Sequence, residues 1–210
     1  MSSDKVSVCE VQPKLVETLK NSAGFTDADV EHFISYMERK VIRKKEFILR
    51  AGDICRHHSF INKGCMRRYV TDNNGKETII QFGIEDWWLG DLESLEYKRP
   101  TIYYIQALED TEILRLERIS FLRIMEEIPK FKIYHESKVS TSHFATLRRL
   151  SVAQSGSPEE KYQLLMQDQP ELFQRIPLHY IASYLGIEPE SLSRLRKRMA
   201  EKAKNLNQSQ

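Results

Sequence analysis

Residues 176–199 constrain this chain most, because they contain two short helical patterns separated by a glycine-centred turn. In the first pattern, Ile181 and Leu185 fall four residues apart. In the second, Leu192 and Leu195 fall three apart, and both spacings place their side chains on one face of a helix. The segment therefore predicts two amphipathic helices packed against each other.

The residues between the two patterns fit a sharp change of direction. Gly186 stands where a helix C-terminus favours a left-handed residue, and Pro189 stands where a new helix tolerates a missing N–H. Such a helix-turn-helix can place its second helix in a DNA major groove, although an αα-hairpin with a solvated basic face has the same spacing. The outward face of the second helix is expected to carry Glu190, Ser191, Arg194, Lys197 and Arg198.

The order Ile-Ala-x-x-Leu-Gly-Ile-x-x-Glu-Ser-Leu-Ser-Arg, residues 181–194, resembles the DNA-binding motif of the Crp/Fnr transcription regulators. That resemblance implies that Glu190 and Arg194 read bases and that Ser191 touches a base or a phosphate. The chemistry agrees, since an Arg fork matches guanine O6 and N7 and a Glu accepts from cytosine N4. Lys197 and Arg198 complete the expected DNA-binding set.

Two features depart from that motif. Glu188 stands where a Ser or Thr N-cap is usual, so the helix start relies on attraction between charge and helix dipole. Eleven residues follow Met199, fewer than the usual β-hairpin wing needs. We therefore expect DNA binding without phosphate contacts from a wing.

Composition narrows the class of protein. The chain of 210 residues is 40% hydrophobic and 30% charged with a net charge of +2, as in ordinary globular proteins. No apolar run approaches the roughly 18 residues of a membrane span, so a cytoplasmic protein with no membrane partner is expected. The basic residues cluster near the second helix, as a module that touches a polyanion requires: Arg194, Arg196, Lys197, Arg198, Lys202 and Lys204.

The sequence gives little reason to expect catalysis or a metal. The three cysteines are widely spaced without a C-x-x-C pair, which argues against a disulfide framework and an iron–sulfur cluster. His57 and His58 are adjacent, so on a strand they point to opposite faces and cannot easily share a metal. No Ser/His/Asp grouping or Gly-rich phosphate loop is found, so we expect no enzyme activity.

The middle of the chain predicts an all-β unit. From about residue 41, short apolar runs alternate with turn signals such as Asp72-Asn-Asn-Gly75 and Glu109-Asp110, which is typical of a small jelly roll. Helical patterns precede it, with Thr26 and Asp29 as a capping pair. The expected fold class is α+β: N-terminal helices with a jelly roll, a long helix, and a small helical helix-turn-helix domain.

The turn positions of this β unit resemble the cyclic-nucleotide-binding-type effector domain of the Crp/Fnr regulators, and the full resemblance covers roughly residues 25–200. It is carried by Gly52-Asp53, Phe60-Ile-x-Lys-Gly64, Arg67-x-Tyr69, Gly75-Lys-Glu77 and Gly90-Asp91.

One stretch of the sequence, residues 90–107, indicates whether this domain binds a cyclic nucleotide. Family members that bind cyclic nucleotides have Gly-Glu-Leu, where the Glu takes the ribose hydroxyl, followed by an Arg that neutralises the phosphate. Here the first motif is Gly90-Asp91-Leu92, the Arg position falls at Thr101, and the nearest arginine is Arg99. No cofactor is evident, and an unfamiliar small effector, or none, is favoured over a cyclic nucleotide. The candidate effector-binding residues are Gly90, Asp91, Arg99, Thr101 and Tyr103.

A long helical run follows, from Phe131 to about Ala153. Its candidate stripe is only weakly apolar and consists of Phe131, Tyr134, Lys138, Thr141, Ala145, Leu147 or Arg148, and Val152. The resemblance implies that it is the dimerisation helix, whereas packing on its own β unit is the simpler alternative. Gln154-Ser-Gly-Ser-Pro158 is the clearest linker. The expected domains are 1–118 (helices and effector domain), 119–154 (connecting and dimerisation helices) and 155–210 (helix-turn-helix).

These features favour a homodimeric, sequence-specific transcription regulator that binds double-stranded DNA and senses a small effector, and that would contact RNA polymerase if it activates. The alternative is a ligand-binding regulatory module whose C-terminal helices dock a protein partner.

Overall fold

The computed structural model describes residues 6–207, apart from the side chains of residue 200 and of residues 202–207. Two compact units are distinguished. The first combines Met1–Val70 with Ile80–Thr141, and the second combines Thr71–Ile79 with Ser142–Gln210.

The N-terminal helices begin and end at the expected signals. After a 3-10 turn at Val8–Glu10, α1 spans Pro13–Ala23 and α2 spans Asp27–Ser35. The capping pair before α2 is confirmed: the Asp29 amide donates to Thr26 Oγ1 at 3.2 Å, and the Thr26 amide donates to Asp29 Oδ2 at 2.8 Å. Thr26 thus satisfies a backbone donor that would otherwise lack a partner at the helix start.

The predicted jelly roll is confirmed as two four-stranded sheets. One has the order β1-β8-β3-β6 and the other β2-β7-β4-β5. The hairpin turn at Asp72–Gly75 is also confirmed, since Asp72 Oδ1 accepts from the amides of Asn74 and Lys76 at 2.8 and 2.9 Å. The strands are β1 Glu38–Ile42, β2 Phe47–Leu49, β3 His57–Lys63, β4 Met66–Thr71, β5 Glu77–Gly83, β6 Trp88–Leu89, β7 Tyr104–Ala107 and β8 Thr111–Glu117.

The first strand and one short helix differ from the expectation. β1 starts at Glu38, so the strands begin before residue 41. A helix that was not predicted, α3, spans Leu92–Tyr97 because Asp91 caps it, with Oδ1 accepting from the amides of Glu93 and Ser94. Six residues are too few for a helical period to show in the sequence.

Two apolar cores lie on opposite faces of β8. Leu114 and Leu116 join a core with α1, α2 and the start of the long helix, whereas Ile113 joins the core between the sheets. This alternation follows from the period-two geometry of a strand.

The remaining helices are α4 Arg118–Glu127, α5 Pro129–Ser155, α6 Pro158–Asp168, α7 Leu172–Arg175, α8 Leu178–Leu185 and α9 Pro189–Asn207. The predicted long helix is therefore present as α5, with 27 residues. Ser157 separates α5 from α6 and caps α6, with Oγ accepting from the Glu160 amide at 3.2 Å. Across residues 6–207, no helix has both the length and the apolar character that crossing a bilayer requires.

Candidate DNA-binding surface and effector site

The helix-turn-helix is held by a small apolar core. Ile181, Ala182 and Leu185 of α8 are buried, and so are Leu192 and Leu195 of α9. These are the positions that the helical spacing predicted, because each pair lies on one face of its helix. The packing fixes which face of α9 is turned outward.

Gly186 makes the sharp turn between the two helices. Its φ and ψ of 66° and 36° are left-handed, and its amide donates to the Ser183 carbonyl at 3.2 Å. The Ile187 amide donates to the Ala182 carbonyl at 3.0 Å, so two of the orphan carbonyls at the end of α8 are satisfied. α9 then starts at Pro189, and the Glu188 carbonyl accepts from the Leu192 amide at 3.0 Å.

The outer face of α9 presents the predicted DNA-binding residues. Glu190, Arg194 and Lys197 are exposed, and Ser191 is half-buried. Arg194 Nη2 donates to Ser191 Oγ at 3.1 Å, a contact that orients the guanidinium along the helix surface. Arg198 is exposed and donates to Glu159 Oε2 of α6 at 2.9 Å, a contact that links α9 to α6.

Sequence reasoning missed the contacts that hold α8 from outside. Ser183 Oγ donates to the Glu77 carbonyl at 3.1 Å and accepts from the Ile79 amide at 3.2 Å. Because β5 is the edge strand of its sheet, these backbone groups face away from the ladder and need such a partner. On α5, Arg149 Nη1 donates to the Tyr184 hydroxyl at 2.8 Å. No local signal marks Ser183 or Tyr184, since both contacts join segments distant in sequence.

The candidate effector residues Asp91 and Thr101 are bonded to each other. Asp91 Oδ2 accepts from Thr101 Oγ1 at 2.6 Å, and its other oxygen caps α3. Both side chains are buried. The carboxylate that would take a ribose hydroxyl in a cyclic-nucleotide site therefore already has its partners within the chain.

The other three candidates are placed around this pair. Tyr103 donates its amide to Thr101 Oγ1 at 3.1 Å, and its ring lies 4.8 Å from the Arg68 guanidinium carbon. Arg68 Nη1 in turn donates to the Gly90 carbonyl at 3.0 Å. Arg99 is exposed, and its guanidinium carbon lies 5.7 Å from the Tyr97 ring centroid.

This arrangement does not fit a cyclic phosphate in the manner that the resemblance requires. The residue at the phosphate-arginine position is the buried Thr101, bonded to Asp91, and Arg99 lies on the surface. Neither a free carboxylate nor an inward arginine stands at those two positions.

Comparison with known proteins identifies the β unit and the fold. The family model described as a cyclic nucleotide-binding domain matches residues 39–128. A search of curated proteins gave no match.

Solved structures match over most of the chain. The c-di-GMP responsive global regulator CLP of Xanthomonas campestris is 13% identical, with a TM-score of 0.67, and the match covers 85% of this chain and 93% of that one. FixK2 of Bradyrhizobium japonicum is 15% identical, with a TM-score of 0.66 over 80% and 86% of the two chains. The Thermus thermophilus catabolite activator protein is 20% identical, with a TM-score of 0.55 over 89% and 88%.

Residues 39–128 thus match the cyclic nucleotide-binding domain family, and the chain shares the fold of the solved Crp/Fnr regulators over most of its length.

Proposed function

We propose that this protein is a dimeric, sequence-specific DNA-binding transcription regulator that inserts α9 into the major groove. The observation that carries the proposal is the outer face of α9, where Glu190, Arg194 and Lys197 are exposed on a helix whose other face is buried. A basic face on a firmly packed second helix is what groove binding requires.

The residues on this face differ in their chemistry and so in their proposed roles. Arg194 reads a guanine with its fork of donors, and Glu190 accepts from a cytosine amino group. Lys197 is a mobile point charge that suits a phosphate. Ser191 supports Arg194 through the 3.1 Å contact and remains within reach of the backbone of the duplex.

We propose α5 as the dimer helix because it presents apolar side chains to solvent. Phe144, Leu147 and Leu150 are 67%, 47% and 50% exposed and follow one another at three-residue intervals. Two members of the expected stripe, Phe131 and Tyr134, are instead buried in the core. The proposed dimer face therefore runs through Phe144, Leu147 and Leu150, and Leu147 is the one member of the expected stripe that lies on it.

The test is a selection of bound sites from random duplex DNA, followed by titration of the winning site against salt. The expected result is an inverted repeat with half-sites about ten base pairs apart and a steep fall of affinity with salt. The selection is run with and without small molecules from a cell extract, so that an effector-dependent protein is also detected. No enrichment under either condition would overturn the proposal and favour the docking of a protein partner.

A further inference from the structure

A cavity of about 380 Å³ lies between the two sheets and is lined in part by Gly90. Its lining comes from β1, β3 and β8 of one sheet and from β2 and β7 of the other. The residues that the argument uses are Lys40, Phe47, Leu49, Arg56, Ile105 and Arg115.

Strand geometry turns two cations toward this space. Arg115 follows Ile113 by two residues on β8, so it shares the face that Ile113 turns to the core between the sheets. Lys40 is the register partner of Ile113 on β1 and stands on that face as well. Arg115 and Lys40 therefore belong to the inner surface by register, and both line the cavity.

The cations of this cavity exceed the acids that neutralise them. Arg115 Nη2 donates to Glu38 Oε1 at 2.6 Å, while its buried Nε has no hydrogen-bond partner among the described residues. A buried guanidinium N–H without a partner costs free energy that a bound acceptor would recover. Lys40 and Arg56 make no ion pair within the described part of the chain.

The neighbouring titratable groups do not cancel this charge. Burial and the nearby Arg115 lower the pKa of His57, so its ring is neutral near pH 7. Glu117 lies 3.5 Å from His57 Nε2. The only acid among the lining residues, Asp53, is exposed and accepts from the Arg50 amide at 3.0 Å.

The opposite wall of the cavity is apolar. Phe47 and Leu49 come from β2 and Ile105 from β7, and Ile105 and Leu49 are buried. The Ser59 hydroxyl lines the same space and has no hydrogen-bond partner within residues 6–207. Such a mixture of an apolar wall and a few converging polar groups is typical of small-molecule sites.

We propose that this cavity binds a small organic carboxylate, with the carboxylate on Arg115 and Lys40 and the apolar body against Phe47, Leu49 and Ile105. Of the five candidate effector residues, Gly90 lines this cavity, whereas Asp91, Arg99, Thr101 and Tyr103 do not. The inference deepens the proposed function by naming the chemical class of its effector.

The test is isothermal titration calorimetry of the full chain with hexanoate at pH 7 and low salt. Two control ligands are titrated in the same way. Hexanamide has the same alkyl chain without the negative charge, and inorganic phosphate has the negative charge without the alkyl chain. We expect hexanoate to bind at least tenfold more tightly than either. Equal binding of hexanoate and hexanamide, or no heat with hexanoate up to millimolar concentration, would overturn the proposal.

Matched variants place the binding in this cavity. Lys40→Gln removes an exposed cation that has no ion pair, so folding is retained, and it is expected to weaken hexanoate binding at least threefold. Lys76→Gln removes an exposed lysine of the β4–β5 turn, outside the cavity, and should leave binding unchanged. Arg115→Gln should weaken binding more than Lys40→Gln, with circular dichroism as the check that the variant is folded. An identical effect of Lys40→Gln and Lys76→Gln would place hexanoate elsewhere and refute the site.

The carboxylate site and the DNA-binding proposal can fail separately. If the protein binds hexanoate but selects no DNA site, only the DNA-binding proposal is refuted. If it selects a DNA site but does not bind hexanoate, only the carboxylate-site proposal is refuted.

Discussion

Arg194 and Lys197 lie three residues apart on the same exposed face, yet their side chains predict different effects on DNA binding. Arg194→Ala should cost about 1–3 kcal/mol on the selected site and relax the preference at one base pair, because a bidentate base contact is lost. Lys197→Ala should weaken binding to every sequence and reduce the salt slope by about one, because a phosphate contact is lost. The measurement is the affinity of each variant for the selected site and for a scrambled duplex. The same loss on both duplexes for both variants would exclude Arg194 as a base reader.

His58 makes the folded protein sensitive to acid. Burial, with smaller contributions from His135 and Arg68, lowers the pKa of His58 to about 3, and its ring stacks near Trp88 with 4.9 Å between centroids. The unfolded chain, with an ordinary value near 6.5, therefore binds a proton between about pH 6.5 and 3 that the folded chain does not. The stability that neutral His58 provides is complete above pH 6.5 and is lost as the pH falls through this window, by up to about 1.4 kcal/mol per unit.

His58→Phe keeps the ring and removes the titration. Urea unfolding between pH 7 and 5 should show a shallower loss of stability for His58→Phe than for the natural protein. His143→Phe, at an exposed position, is the control and should leave the slope unchanged. Parallel pH curves for the natural protein and His58→Phe would contradict the assignment.

At the scale of the helix and strand, one hydroxyl of α8, that of Ser183, completes the hydrogen bonds at the edge of β5. Ser183→Ala leaves the Glu77 carbonyl and the Ile79 amide without the partner they have now. We expect a loss of about 1 kcal/mol in unfolding free energy and faster amide exchange at Ile79. Hydrogen exchange of a peptide covering residues 77–79 is the measurement, with Ser193→Ala on the exposed face of α9 as the control. Unchanged exchange at Ile79 would show that the contact does not hold the strand edge.

Elements whose signals are local could be read from the sequence, and those that need distant partners could not. Thr26 with Asp29, the Asp72–Gly75 turn and Gly186 each act within a few residues, and each stands where it was predicted. The predicted face of α9 follows from helical spacing in the same way. The contact of Ser183 with Ile79 joins residues more than 100 positions apart, and the Thr101 hydroxyl donates a hydrogen bond to Asp91 across a loop. Such contacts form only once the chain has folded, so local sequence patterns could not show which residues would be hydrogen-bonded to each other.

At the scale of the whole molecule, the effector and the operator must influence each other equally. If a carboxylate in the cavity between the sheets strengthens DNA binding by some factor, the operator must strengthen carboxylate binding by the same factor. We expect the ratio of hexanoate affinities measured with and without operator DNA to equal the ratio of operator affinities measured with and without hexanoate. Unequal ratios would show that hexanoate also acts at a second site. If neither ligand changed the affinity of the other, this cavity would not control DNA binding.

The exposed face of α5 decides whether the protein acts as a dimer. Leu147→Glu introduces a charge between Phe144 and Leu150, so two copies of the face can no longer pack without burying an unpaired carboxylate. We expect the variant to sediment as a monomer and to lose most of its affinity for an inverted repeat, since one recognition helix contacts only one half-site. Ala145→Glu is the matched control, because Ala145 is exposed about 200° around the helix from Leu147 at 100° per residue. A monomeric Ala145→Glu with a dimeric Leu147→Glu would move the interface to the opposite face of α5, which carries Ala145. The half-site spacing of the selected operator would then have to be explained by that other face.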